Sequence, residues 1–260
     1  MDMHHVRRGA GKPLLLLHGL GGTWRSWTPV LDALAAEREV IAVDLPGFGE
    51  TPPLPSPVTF DSLADAVTKF IEAQGLTGVD VVGSSMGARL VLELARRGVV
   101  GAVVSLDPGG FWRGWQRLFF WATIDLSIRL VRLLQPLMPA ITRNPLARTL
   151  CFVQLSAHPW RLPADVMLAE MRGYAAARSF DELLRDLATG PTQEGPPRGS
   201  LTKPMVIGWG RRDRICLRSQ SKLAMERFPD ARLHWFQHSG HFPMFDEPSA
   251  TVRLILDTTR

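Results

Sequence analysis

The sequence predicts an α/β fold in which a mostly parallel sheet is flanked by helices and carries an inserted helical segment. Short runs rich in Leu, Val and Ile alternate with longer amphipathic stretches, as in parallel strands connected by helices. Between residues 107 and 204 this alternation stops, and the stretches there have helical character and are broken by prolines. The 260 residues suffice for one large domain with such an insertion.

The elements follow from local residue patterns, taken in chain order. Runs of β-branched residues or leucines predict strands at 14–17, 39–43, 79–82, 102–106, 205–209 and 232–236. Apolar residues at helical spacing predict helices at 24–36, 59–74, 85–97, 218–228 and 248–257.

The insertion is predicted to be helical throughout. Stretches 117–139 and 162–189 have helical character, and the turn-rich GPTQEGPPRGS at 190–200 leads back to the sheet. The chain is therefore divided into a core at 1–110, a helical module at 111–200 and the second part of the core at 201–260.

The composition excludes several classes of protein. The net charge of +5 comes from 30 basic and 25 acidic residues, and the arginines are scattered, which argues against nucleic-acid binding. Cys151 and Cys216 lie far apart, so neither a disulfide framework nor a zinc site is expected. The four consecutive leucines near the start are too few for a signal peptide or a membrane span. We expect a cytoplasmic protein without membrane contact.

A sharp turn between a strand and a helix is predicted in the sequence VVGSSMG at 81–87. Its Gly-x-Ser-x-Gly pattern is typical of a nucleophile elbow, which lifts the hydroxyl of Ser85 above the edge of the sheet. Side chains at Gly83 and Gly87 would clash with neighbouring backbone at such a bend. The N–H of Met86, at the start of the helix, would supply half of an oxyanion hole.

A serine nucleophile needs a base, and four histidines follow the elbow. His158 falls in the insertion and His234 lies inside the last predicted strand, where packing or surface roles are expected. His241 follows that strand in FQHSGHFPMFDEP, where Gly240 lets the loop turn toward the serine. We assign His241 as the base and keep His238 as the alternative.

The third member of the site should be an acid that follows a strand. Asp213 lies just past the strand at 205–209, and the order Ser, Asp, His is the one used by the fold with this elbow. Asp107 ends another strand and is the rival, although it precedes Pro108 and suits a turn. Asp44 comes before the elbow and is expected to stabilise a turn.

Five ordered motifs together resemble the α/β-hydrolase superfamily, and specifically its serine esterase-like members with a helical cap: LLLLHGLGGTW, VDLPGFGETPP, VVGSSMGARL, GWGRRDRI and HSGHFPMFDEP. The resemblance covers nearly the whole chain outside 111–200. It implies that Leu20 supplies the second oxyanion N–H beside that of Met86. Only about a dozen residues precede LLLLHG. We therefore expect a truncated first hairpin, no antiparallel edge strand, and seven strands rather than eight.

Ser85 separates this chain from the haloalkane dehalogenases and epoxide hydrolases of that superfamily, which place an aspartate at the elbow. The expected activity is hydrolysis of a small-molecule carboxylic ester through an acyl-enzyme, without cofactor or metal. A carbon–carbon bond hydrolase or a lactonase with the same triad is the alternative, and a slow-turnover ligand receptor is another. A homodimer is left open.

Aromatic residues cluster where the chain leaves the sheet beside Ser85. Most of them are expected to form the core of the cap, but a cap above the serine must also present an apolar surface to it. We assign substrate contacts to Trp112, Trp115, Phe119 and Trp121. The expected pocket is mostly apolar and selects uncharged esters with short or branched acyl groups.

Overall fold

The structure is a computed structural model that describes residues 2–55 and 57–260. In these two ranges seven strands form one sheet: β1 His5–Arg8, β2 Pro13–Leu17, β3 Glu39–Val43, β4 Asp80–Ser84, β5 Val103–Leu106, β6 Met205–Gly210 and β7 Arg232–Phe236. Their order across the sheet is β1-β3-β2-β4-β5-β6-β7, and every pair is parallel except β1 with β3. The predicted α/β class and the count of seven strands are confirmed.

The expectation that the antiparallel edge strand is missing is wrong. Residues His5–Arg8 form that strand and pair with β3, with His5 opposite Val43. The strand has only four residues, and its last two are exposed. A short strand at the edge of a sheet that is largely open to solvent does not need alternating apolar and polar residues. Its sequence therefore shows no clear strand pattern.

The helices lie on both faces of the sheet and in the insertion. They are α1 Thr28–Ala35, α2 Phe60–Ala73, α3 Met86–Arg96, α4 Gln116–Leu133, α5 Met138–Arg143, α6 Pro145–Phe152, α7 Ala164–Ala176, α8 Phe180–Thr189, α9 Ser221–Arg227, α10 Pro243–Asp246 and α11 Pro248–Thr258. The helix predicted at 24–36 is divided into a 3-10 turn, Trp24–Trp27, and α1.

Two apolar cores lie on opposite faces of the sheet because neighbouring strand residues face opposite sides. Leu15 and Leu17 of β2 pack in the core that includes α2 and α3. Leu14 and Leu16 pack in the other core, with α1 and α11. Since the central strands are parallel, the loops after their carboxyl ends meet at one edge, which is where an open α/β sheet binds its ligands.

The insertion, called the cap below, lies over that edge as helices α4 to α8. It has its own small core, formed by Met138, Phe152, Leu162, Met167 and Met171. It is joined to the rest of the chain by hydrogen bonds, among them one from Ser26 Oγ to Glu170 Oε2 at 2.8 Å. Among the described residues, no helix is long and apolar enough to cross a membrane.

Candidate active site

The turn between β4 and α3 holds Ser85 in an unusual backbone conformation. Its φ of 56° and ψ of −112° are uncommon for a residue with a Cβ atom and indicate local strain. A Cβ at Gly83 would overlap the backbone of Gly87, and one at Gly87 would overlap the backbone of Leu17. Both glycines are therefore required by close packing, and the turn presents the half-buried Ser85 to a cavity under the cap.

His241 and Asp213 form a buried hydrogen-bonded pair beside this turn. His241 Nδ1 lies 2.9 Å from Asp213 Oδ2, and both side chains are almost fully buried. The other carboxylate oxygen, Oδ1, accepts the N–H groups of Ile215 at 2.7 Å and Cys216 at 3.0 Å. The carboxylate thus holds the imidazole through Nδ1 and leaves Nε2 available to another group.

Ser85 and His241 line the same cavity. No hydrogen bond joins Ser85 Oγ to any residue in the described ranges. Catalytic hydrogen bonds are often loose in ligand-free enzymes and tighten when a substrate binds.

The other predicted candidates for the base lie elsewhere. His238 is exposed, and its backbone N–H donates to Glu247 Oε2 at 2.9 Å. His158 belongs to the insertion, and the ring of His234 packs edge-on against Phe236 within β7. Of these four histidines, His241 alone has its imidazole ring hydrogen-bonded to a carboxylate in the described part of the chain.

An acidic residue that the sequence analysis overlooked holds the loop of His241 against the cap. Asp246 Oδ2 accepts the N–H groups of Gly240 at 2.7 Å and of Ala157 at 2.8 Å, while Oδ1 accepts the hydroxyl of Ser156. One carboxylate therefore connects the loop of His241 to the insertion. The sequence offered one signal for this role, the adjacent acids Asp246 and Glu247 in HSGHFPMFDEP. The sequence alone could not identify the partners of Asp246, because Ser156 and Ala157 are distant along the chain.

Asp107, the alternative candidate for the acid, lies next to the site and is hydrogen-bonded to the end of the strand that precedes Asp213. It has a positive φ of 51°, is fully buried, and accepts the N–H of Gly210 through Oδ1 at 2.7 Å. Its Oδ2 has no hydrogen-bond partner among the described residues. Burial, followed by the neighbouring Asp213 carboxylate, raises the pKa of Asp107 well above its ordinary value. Asp107 therefore braces the loop that carries Asp213 and is not the partner of the histidine.

The two residues expected to form an oxyanion hole, Leu20 and Met86, both line the cavity with Ser85. Met86 is the first residue of α3, where a backbone N–H has no acceptor within its own helix. A Cβ at Gly19 would lie only 3.0 Å from Ser85 Cβ, so the chain beside Leu20 passes close to the serine. The sequence-predicted residues are therefore brought together, and their role remains a proposal.

His18 supports the Gly19–Leu20 turn from below. Its Nδ1 lies 2.7 Å from the carbonyl oxygen of Gly19, and its Nε2 accepts the N–H of Leu45 at 2.9 Å. Burial lowers the pKa of His18 to about 4, so the ring is neutral near pH 7. A neutral ring can both donate and accept, and both bonds hold the turn in place.

The cavity has a volume of about 400 Å³ and a mostly apolar wall, in the size range of small-molecule sites. Trp112 belongs to this wall, as predicted, and packs against Phe120 with ring centroids 4.8 Å apart. Trp115, Phe119 and Trp121 are not part of this wall, so their predicted contacts with substrate stay a prediction. Trp115 is 65% exposed and Trp121 is 41% exposed, because α4 turns its other face to the cavity.

One positively charged residue, Arg89, contributes to the cavity wall one turn after Ser85 on α3. It is buried, its Nε donates to Gln193 Oε1 at 3.2 Å, and its Nη2 donates to the carbonyl oxygen of Pro191 at 2.8 Å. The guanidinium carbon lies 4.0 Å from the ring centroid of Phe60. Burial lowers the pKa of Arg89 to about 10, so the group remains charged near pH 7.

Asp213, Cys216 and His241 place possible metal-ligating atoms within 4.8 Å of one another. Cysteine binds metals as the thiolate, but burial and the Asp213 charge raise the pKa of Cys216 well above its ordinary value. His241 Nδ1 and Asp213 are already bonded to each other. The cluster therefore suits a histidine–carboxylate pair better than a metal site, and metal-free chemistry stays a prediction.

Comparisons with known proteins agree with the fold. The chain is 30% identical over 241 residues, 89% of its length, to the dihydrolipoyllysine-residue acetyltransferase component of an acetoin cleaving system from Pseudomonas putida, of which it spans 59%. It is 25% identical to a 2-hydroxy-6-oxononadienedioate/2-hydroxy-6-oxononatrienedioate hydrolase of Dechloromonas aromatica, covering 99% of this chain and 90% of that one.

The solved structure of an esterase from Thermogutta terrifontis superposes with a TM-score of 0.75, and the superposition covers 98% of this chain and 92% of the esterase. The sequence identity is 19%, so the similarity is one of fold. The sequence model of the alpha/beta hydrolase family matches residues 14–254. The resemblance of the five motifs to the α/β-hydrolase superfamily is thereby confirmed, and the chain belongs to the alpha/beta hydrolase family.

Proposed function

We propose that the protein hydrolyses carboxylic esters through an acyl-enzyme on Ser85. The observation that carries the proposal is the buried hydrogen bond of 2.9 Å between His241 and Asp213 beside the strained serine turn. A strained serine, an oriented imidazole and a shared cavity are the parts that acyl transfer needs.

In the proposed reaction Ser85 Oγ attacks the ester carbonyl carbon while His241 Nε2 takes the hydroxyl proton. The N–H groups of Leu20 and Met86 stabilise the negative oxygen of the tetrahedral intermediate. His241 returns the proton to the leaving alcohol, and Asp213 stabilises the imidazolium in between. A water molecule then gives a proton to His241 and attacks the acyl-enzyme, which releases the carboxylic acid and restores the serine hydroxyl.

The apolar wall supports acyl groups without charge. Trp112 and Phe120 lie in this wall with aliphatic residues, so short or branched uncharged acyl chains should bind there. Trp112→Ala should change the preference across a series of p-nitrophenyl esters from acetate to laurate. Trp115→Ala is the matched control, because this residue is exposed and lies outside the wall.

The direct test is hydrolysis of these esters by the parent, Ser85→Ala and Ser84→Ala. Ser84 is the adjacent buried serine, and its hydroxyl approaches Met244 Sδ at 4.0 Å. Loss of roughly four orders of magnitude is expected for Ser85→Ala alone. A fluorophosphonate should add to Ser85, as detected by peptide mass. An unlabelled Ser85, or a variant that keeps a tenth of the activity, would refute the proposal.

A carbon–carbon bond hydrolase is the second candidate. The Dechloromonas aromatica relative is named for a dicarboxylate substrate, and the charged Arg89 in the cavity wall offers an attractive group for a carboxylate. Hydrolysis of a vinylogous diketone carboxylate, measured beside the esters, decides between the two. A faster carboxylate reaction that Arg89→Gln reduces selectively would favour the second candidate.

A ligand receptor would keep the same three residues and bind esters with negligible turnover, so the ester assay also tests that alternative. A cytoplasmic location remains a proposal. It is supported by Cys151 and Cys216, which form no disulfide with each other.

A further inference from the structure

The cap carries an unusual concentration of exposed apolar side chains. Large hydrophobic residues that are exposed in the described part of the chain all lie between positions 115 and 160: Trp115, Leu118, Trp121, Leu126, Leu130, Leu133, Leu137, Leu146, Leu150, Val153 and Trp160. We call these eleven residues the cap patch. Exposed apolar groups scattered singly are normal, whereas a cluster of this kind marks an interaction surface.

The cap patch follows helical faces. Leu118, Leu126 and Leu133 fall on one side of α4 at helical spacing, and Trp115 directly precedes this helix. On α6, Leu146 and Leu150 are one turn apart and are 78% and 80% exposed. α4 is joined to the segment that follows α6 by a hydrogen bond from Ser127 Oγ to Gln154 Oε1 at 2.9 Å, and both residues line the cavity.

Part of the patch lies at the mouth of the cavity. Leu130, Leu150 and Val153 line the cavity and are also exposed, so they form its rim. The apolar surface of the cap is therefore continuous with the apolar wall above Ser85.

The same segment has an excess of basic residues. Residues 111–163 contain one acidic residue, Asp125, and seven arginines: Arg113, Arg117, Arg129, Arg132, Arg143, Arg148 and Arg161. Three of these arginines are in ion pairs, Arg113 with Glu226, Arg129 with Asp125 and Arg132 with Asp181, and Arg148 is buried. Arg143 and Arg161 are exposed and form no ion pair with a described residue. Two copies of this face would bring like charges together, which opposes self-association. An anionic lipid surface offers the complementary charge and an apolar layer for leucine and tryptophan.

We propose that the cap patch binds the surface of an anionic phospholipid membrane and so places the mouth of the cavity at the lipid layer. The helices lie on the bilayer and do not cross it. The proposal revises the expectation of no membrane contact, which rested on the charge of the whole chain and not on its distribution over the folded surface.

The test uses Ser85→Ala, so that binding is measured without hydrolysis and independently of the proposed esterase activity. The protein is floated with vesicles of phosphatidylcholine containing about one third phosphatidylglycerol, and with phosphatidylcholine alone. Binding to the anionic vesicles is expected, with a blue shift of tryptophan fluorescence and weakening by salt.

Two paired variants locate the surface. Leu133→Gln with Leu146→Gln replaces highly exposed residues outside the cavity wall, and Arg143→Glu with Arg161→Glu reverses two unpaired charges. Each pair should weaken binding about tenfold or more. Arg253→Glu is the control, because Arg253 is an exposed arginine of α11 without an ion pair in the described residues.

Failure to bind either kind of vesicle would overturn the proposal, as would equal losses from Arg253→Glu and the cap variants. A stable dimer in size-exclusion chromatography that Leu133→Gln with Leu146→Gln disrupts would assign the cap patch to a second copy and overturn it as well.

Discussion

Glu170 makes the stability of the cap dependent on pH. It lies on α7, is only 5% exposed, and accepts the hydroxyl of Ser26 through Oε2 at 2.8 Å. Burial raises the pKa of Glu170 to about 7, against the opposing effects of the Ser26 hydrogen bond and the Arg25 charge. At alkaline pH the folded protein must therefore keep a poorly solvated carboxylate between cap and core.

The size of the effect follows from the pKa in the two states. The folded pKa of Glu170 is about 7, and its ordinary value is 4.5. Its stabilising contribution is complete below the unfolded pKa and is lost as pH rises through the folded one. The full difference corresponds to about 3 kcal/mol, of which about 2.5 kcal/mol is lost between about pH 5 and pH 9.

The perturbation is Glu170→Gln, which keeps an oxygen acceptor for Ser26 and removes the titrating group. The free energy of unfolding is measured by urea titration with tryptophan fluorescence at about pH 5, 7 and 9. The parent should lose stability from about pH 5 to pH 9 and the variant should not. The free energy of unfolding of the variant minus that of the parent should therefore rise by about 2.5 kcal/mol over this range. Asp165→Asn is the control because it removes an exposed carboxylate from the same helix.

The reasoning is refuted if the difference between Glu170→Gln and the parent stays constant within about 0.5 kcal/mol from pH 5 to pH 9, or falls as pH rises. Because each variant is compared with the parent at the same pH, the titration of other groups largely cancels.

Three further outcomes test the site. His241→Ala should lower ester hydrolysis by roughly four orders of magnitude and His238→Ala by less than about twofold, measured as kcat/KM, and the reverse ranking would move the base. Asp213→Asn should reduce kcat/KM far more than Asp107→Asn, since only the Asp213 carboxylate is hydrogen-bonded to the imidazole of His241. Equal losses in the two variants would contradict the assignment of Asp213 as the acid. Gly87→Ala should destabilise the protein by about 3 kcal/mol, because its Cβ would overlap backbone, and an unchanged urea midpoint would count against this packing.

Several parts of the site could be predicted from local sequence. The Gly-x-Ser-x-Gly turn is a local motif, so the strain at Ser85 and the close approach of Gly83 to Gly87 follow from residues within a few positions. The packing of Gly87 against Leu17 involves a neighbouring strand. Chain order and strand ends were enough to select His241 and Asp213, because parallel strands bring their carboxyl ends to one edge.

Other features depend on contacts between distant segments. The support of the His241 loop by Asp246 requires backbone groups of the insertion about ninety positions away. The pKa of Glu170 depends on how the cap covers it, and the edge strand at His5–Arg8 exists because β3 offers a free edge.

By itself the sequence determined the alternation of strands and helices, the sharp turn at Ser85 and the helical nature of the insertion, because these depend on residue type and short-range spacing. Only the tertiary structure decided which face of α4 lines the cavity and which is left exposed. That choice left Trp115 and Trp121 outside the wall and brought Leu130, Leu150 and Val153 of the cap patch to the mouth of the cavity. The rotation of a helix with apolar residues on several sides is set by the surface it packs against, and its own periodicity cannot specify it.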